Sequence, residues 1–155
     1  MTSSEKPCSS TAFERMCVAA DAESAATVRR EFSDWLRRYL TLDATKASDV
    51  VLAVNEAMAN AAEFAYVTAQ RPGTMNMQAH HDESAATLIV TVADQGAWRS
   101  SDPVTKEGRR GRGIPLMHAL ADRVTVDTSR TGTRVRLEWT HVAGAPTRAC
   151  DGARA

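Results

Sequence analysis

Asn55-Glu56-Ala57-Met58-Ala59-Asn60-Ala61-Ala62-Glu63-Phe64-Ala65-Tyr66 is rich in helix-forming residues and free of glycine and proline. The pattern extends upstream. Val50, Val51, Val54, Met58, Ala61 and Ala65 recur at three- and four-residue spacings. They predict one apolar stripe on a helix that runs from a cap at Asp43 to about Thr68. Glu56 and Asn60 fall away from that stripe. Four residues apart, they stack on one flank, about 6 Å from each other along the axis. Ala53, Ala57, Ala59, Ala61 and Ala62 leave room beside them for something bulky. Taken alone, such a Glu/Asn pair is most often just a solvated helix face.

The rest of the chain alternates between two periodicities. Phe13 to Ala20 reads as a first strand. Asp21 or Ser24 can cap a helix to about Leu40, with Val28, Phe32, Trp35, Leu36 and Tyr39 on its apolar face. Arg71-Pro72-Gly73 breaks the chain. Strands are expected at Thr74–Ala79 and Ala86–Ala93, with a hairpin loop over His80–Ser84. Residues 95–112 have no apolar period and are expected to form a long loop. Ile114–Ala121 reads as a short helix with Pro115 in its first turn. Val124–Thr128 and Thr133–Trp139 read as a terminal hairpin turning at Ser129-Arg130-Thr131-Gly132.

Bulk properties narrow the function. At 155 residues the chain is expected to form one domain, over residues 11–141, with disordered ends at 1–10 and 142–155. Lys and Arg total 19, as do Asp and Glu, so the net charge is zero. That balance argues against direct nucleic-acid binding, although Arg109, Arg110 and Arg112 cluster locally. Three cysteines without a close pair or zinc spacing fit a reducing compartment, and a cytoplasmic location is expected. The polar opening from Met1 to Pro7 has no apolar signal core. No run is long enough to span a bilayer, so no membrane partner is expected.

Four short pieces carry candidate chemistry. A neutral amide oxygen such as that of Asn60 suits Mg²⁺, and a carboxylate such as Glu56 suits a base in phosphoryl transfer. Asp94 closes the strand Leu88–Ala93 on the side of Leu88, Val90 and Val92. If that side is the core, its carboxylate needs a donor, and the exocyclic amino group of adenine is one. Gly96 would let a flat ring approach the backbone. Alone, Asp-x-Gly is as often a plain turn. Gly108-Arg109-Arg110-Gly111-Arg112-Gly113 combines backbone N–H groups before a helix with cationic partners for an anion, or is simply a basic surface loop. It is neither a Walker A motif nor a dinucleotide fingerprint. Gly132-Thr133, in isolation, is best read as a hairpin turn. His80, His81, His118 and His141 have no ligand spacing and read as loop or surface residues.

In order and spacing, the four pieces resemble the nucleotide-binding boxes of the GHKL (Bergerat-fold) ATPases, in particular the anti-sigma-factor serine/threonine kinase branch. The resemblance covers roughly residues 12–140. It implies a two-layer α/β sandwich: a mixed, mainly antiparallel sheet with helices on one face, and ATP between helix and sheet under a lid at 95–112. It implies Glu56 as base and Asn60 as the Mg²⁺ ligand. Asp94 and Gly96 would meet adenine, Thr133 would lie near it, and Arg109, Arg110, Gly111, Arg112 and Gly113 would lie near the phosphates. The implied activity is serine/threonine phosphorylation of an anti-anti-sigma (STAS-type) protein, with a sigma factor as second partner. Members often form homodimers. Phe64 departs from the pattern, which commonly has histidine before Ala-Tyr. The alternative is a catalytically silent ATP-binding or sequestering module.

Overall fold

The structure, a computed structural model, describes residues 10–63, 73–95, 110–129 and 132–146. Its elements are β1 (Ser10–Ala19), α1 (Ala22–Tyr39), β2 (Leu40–Thr41), α2 (Ala44–Glu63), β3 (Thr74–Asp82), β4 (Thr87–Asp94), α3 (Arg110–Leu120), β5 (Arg123–Ser129), β6 (Gly132–Trp139) and β7 (Ala143–Gly144). Five strands form one sheet in the order β1-β3-β4-β6-β5. All four of its ladders are antiparallel, so the expected mixed sheet is wholly antiparallel among the described residues. β2 and β7 pair separately.

Strict alternation makes the sheet two-sided. Met75, Met77 and Ala79 on β3, Leu88, Val90 and Val92 on β4, and Val135, Leu137 and Trp139 on β6 are buried on one face. The opposite face carries Gln78, His80, Arg134 and Arg136, all exposed. α1 and α2 cover the apolar face. α1 presents Val28, Phe32, Trp35 and Leu36 to it, and Phe32 stacks on Trp35 with ring centroids 5.8 Å apart. α2 presents Val50, Ala53, Val54, Ala57, Met58 and Ala61. This is the expected α/β sandwich with helices on one face.

The helix starts follow the expected caps. The Asp21 carboxylate accepts from Ser24 N–H at 2.7 Å, and Asp43 accepts from Lys46 N–H at 2.7 Å. The Ser24 bond holds the Asp21 carboxyl below its ordinary value. Its stabilisation is therefore present at neutral pH and is lost as pH falls through that depressed value. Aspartate wins over the Ser24 alternative because its side chain reaches the N–H three residues on.

Several boundaries differ from the sequence reading. β3 continues through His80, His81 and Asp82, so the loop shrinks to residues 83–86. The cause is His81. It alternates into the core, is buried, and its Nε2 lies 2.7 Å from the carbonyl oxygen of Val142, correcting its reading as a loop or surface residue. Val142 itself is buried, and Ala143–Gly144 pair with Leu40–Thr41, so the folded unit passes the expected boundary at 141. Ser10 pairs with Asp82 in β1. α3 begins at Arg110, four residues before the expected start, which takes Gly111-Arg112-Gly113 into its first turn and leaves Pro115 inside the helix. The expected end of α2 at Thr68, most of the 95–112 loop, the turn residues Arg130 and Thr131, and the segments 1–9 and 147–155 lie outside the described residues.

Ala86, in the β3–β4 turn, has φ 49°. The left-handed region costs an L residue about 1–2 kcal/mol, which glycine avoids at an entropic cost of about 0.5–1 kcal/mol. Ala86→Gly should therefore raise Tm by about 1–3 °C in a calorimetric melt. A fall in Tm would show that the turn is not strained.

Candidate functional site

β4 and β6 run antiparallel with Asp94 directly opposite Thr133. Directly opposed residues share a face, so both belong to the helix-covered side, one step beyond the buried pair Val92 and Val135. Thr128 on β5 stands opposite Thr133 in turn. Asp94, Thr133 and Thr128 thus form a polar row across three strands, at the end of an otherwise apolar face. A cavity of about 280 Å³ opens there, and all three residues line it.

Two observations mark this end of the sheet as built for close approach. Gly132 has φ 158° and lies hard against β4: a Cβ placed on it would sit 2.0 Å from the Asp94 carbonyl oxygen. No other residue fits without moving the strand. Beside it, Thr133 is only 5 % exposed, and its Oγ1 has no hydrogen-bond partner among the described residues. A buried hydroxyl left unmatched costs about 1–3 kcal/mol. A bound polar ligand would remove that cost, and the edge of a purine ring, with its alternating donors and acceptors, has the required chemistry.

α2 carries Glu56 and Asn60, both partly exposed. Neither side chain makes a hydrogen bond or ion pair with another described residue. α3 packs along α2, anchored by the fully buried Met117 and by the Trp139 indole N–H, which donates to the Leu120 carbonyl at 2.9 Å. The first turn of α3 is Arg110-Gly111-Arg112-Gly113. N–H groups of a first helical turn have no intrahelical acceptor and favour an anion. Gly96, Arg109 and Phe64 lie outside the described residues.

Residues 18–139 match the model of the histidine kinase-like ATPase domain. The chain belongs to that family. Among solved structures it resembles one holding the RsbU and RsbW domains of Rv1364c from Mycobacterium tuberculosis. The TM-score is 0.65 and the identity 22%, over 89% of this chain and 34% of that one. This chain thus spans about a third of that chain's length, and the likeness is one of fold.

The importance of Gly132 and the burial of Thr133 were missed in the sequence. The signal that could have found the burial is the alternation of Thr133 with Val135, Leu137 and Trp139. Only the register against β4 reveals that nothing in the described protein meets its hydroxyl.

Gly132→Ala should destabilise the protein by about 1–3 kcal/mol, seen as a Tm lower by several degrees. Thr133→Val should leave the Tm of the ligand-free protein unchanged or raise it, because the hydroxyl it removes is unmatched. A Tm lowered by more than about 2 °C would mean that the hydroxyl already has a partner.

Proposed function

We propose that this protein is an ATP-dependent serine/threonine kinase that acts as an anti-sigma factor in a bacterial partner-switching pathway. Its substrate is a small anti-anti-sigma protein of the STAS type. The observation that carries the nucleotide part is the buried, unmatched Thr133 hydroxyl set opposite Asp94. Membership of the histidine kinase-like ATPase family supports it. The regulatory part is supported by the resemblance of the four boxes to anti-sigma kinases. The fold likeness to a protein that carries an RsbW domain beside an RsbU domain agrees with it.

The chain's own residues divide the work. Asp94 accepts from the exocyclic amino group of adenine, and Thr133 bonds the ring edge beside it. The N–H groups at the start of α3, with Arg109, Arg110 and Arg112, face the phosphates. Mg²⁺, when bound, neutralises phosphate charge, and the Asn60 amide oxygen is its protein ligand. Glu56 accepts the proton of the acceptor serine as its oxygen takes the γ-phosphoryl group and ADP leaves. Zero net charge fits protein partners rather than nucleic acid, and among the described residues no helix is long and apolar enough to cross a membrane.

Transfer from radiolabelled ATP to a cognate STAS protein, with ATP affinity measured in parallel, tests this reading. Glu56→Ala should slow transfer by about 10²-fold or more and change ATP affinity little. Asp94→Asn and Thr133→Val should each weaken ATP binding about tenfold, equivalent to 1.4 kcal/mol. Full transfer by Glu56→Ala would remove Glu56 from the chemistry. ATP binding without transfer in the wild type would favour a sequestering module.

A further inference from the structure

A second cavity among the described residues lies apart from Asp94 and Thr133. It is a groove of about 780 Å³ between α1 and α2, lined also by Ala145 and Pro146. Leu36 and Leu40 are buried at its base, and Leu52 stands on its rim 41% exposed. α2 lines it from Ala47 to Asn55, a run of about 12 Å, or two helical turns. Ala47 precedes Glu56 by nine residues, and Val51 precedes Asn60 by nine. Nine residues make about two and a half turns, so Ala47 and Val51 on the groove floor lie across α2 from Glu56 and Asn60, while Leu52 on the rim stands one turn before Glu56.

The charge around the groove has one sign. Its ionisable lining residues are Arg29 and Arg37, with no acidic residue among them. Arg37 is paired with Asp34 at the surface. Arg29 donates to the neutral amide oxygen of Asn55 at 3.1 Å and has no ion pair among the described residues, so its charge is left uncompensated. An apolar channel two turns long, flanked by two helices and rimmed by an unbalanced cation, has the form that receives a third helix.

We propose that this groove docks a short amphipathic helix of a partner protein, with leucine-like side chains on one face and acidic residues beside them. The apolar side chains enter over Leu36, Leu40 and Val51. A carboxylate pairs with Arg29. The floor of the groove at Ala47 and Val51 lies across α2 from Glu56 and Asn60, and the inference stands apart from the kinase reading.

The test uses the full chain and a 14-residue capped peptide, with leucines at i, i+3, i+4 and i+7 and glutamates elsewhere. A twin carries lysine for every glutamate. Calorimetric titration should show binding of the acidic peptide, at least tenfold weaker for the lysine twin. Amide shifts should cluster at Leu36, Val51 and Leu52. Leu52→Glu should weaken binding at least tenfold, and Arg29→Ala severalfold with a reduced salt dependence and with unchanged ATP affinity. Leu52 is on the surface, so its variant should fold, and Arg29→Ala gives a second, independent reading. Equal binding of the lysine twin, shifts confined elsewhere, or no binding at millimolar peptide would overturn the proposal. So would self-association abolished by Leu52→Glu, which gives the groove to a second copy. Binding seen only after removal of residues 147–155 would give it to the chain's own end and overturn the proposal as well.

Discussion

The contact on which the site depends is the approach of Gly132 to the backbone of Asp94. β6 can start where it does only because position 132 has no Cβ: any other side chain would collide with the Asp94 carbonyl. That start fixes the register of β6 on β4, and a one-residue slip would turn every side chain of β6 to the opposite face. Thr133 would leave the core side, and Val135, Leu137 and Trp139 would point to solvent. One close approach therefore holds together the polar row at the sheet end and the apolar core behind it. The pairing continues to β5, where Thr128 extends the row.

The helix layer does a second job. α2 buries one stripe against the sheet, and this leaves it two flanks. One carries Glu56 and Asn60. The other, with α1, forms the apolar groove. The segment after β6 stabilises the groove end. Val142 N–H donates to the Ala86 carbonyl at 2.8 Å, Ala145 N–H to the Tyr39 carbonyl at 2.8 Å, and Lys46 Nζ to the Thr140 carbonyl at 2.7 Å. These bonds tie the C-terminal residues to the β3–β4 turn, to the end of α1 and to the start of α2. The strap and the groove are thus parts of one local structure.

Much of the fold was legible because its periodicities are clean. The stripe of α1 and the alternation of β4 and β6 each have a single consistent reading. His81 was not legible, since a histidine beside another histidine and an aspartate looks like a loop. Its burial depends on Val142, sixty-one residues away. The start of α3 was hidden by glycines, which disfavour helix in isolation and are overridden here by packing of Met117 and Leu120. Asp94 and Thr133 were visible as separate motifs. Their meeting is a property of the ladder, not of either motif. The α1–α2 groove left no signal, because Leu52 and Val51 look like ordinary members of a helix face.

The central claim, that a nucleotide binds the polar row at the ends of β4 and β6, is tested most directly by hydrogen–deuterium exchange of the wild-type chain with and without ATP and Mg²⁺. The account predicts slowed exchange at the end of β4, at the start of β6 and in the first turn of α3, with α1 unchanged. Protection confined to the α1–α2 groove, or absent at saturating ATP, would contradict it.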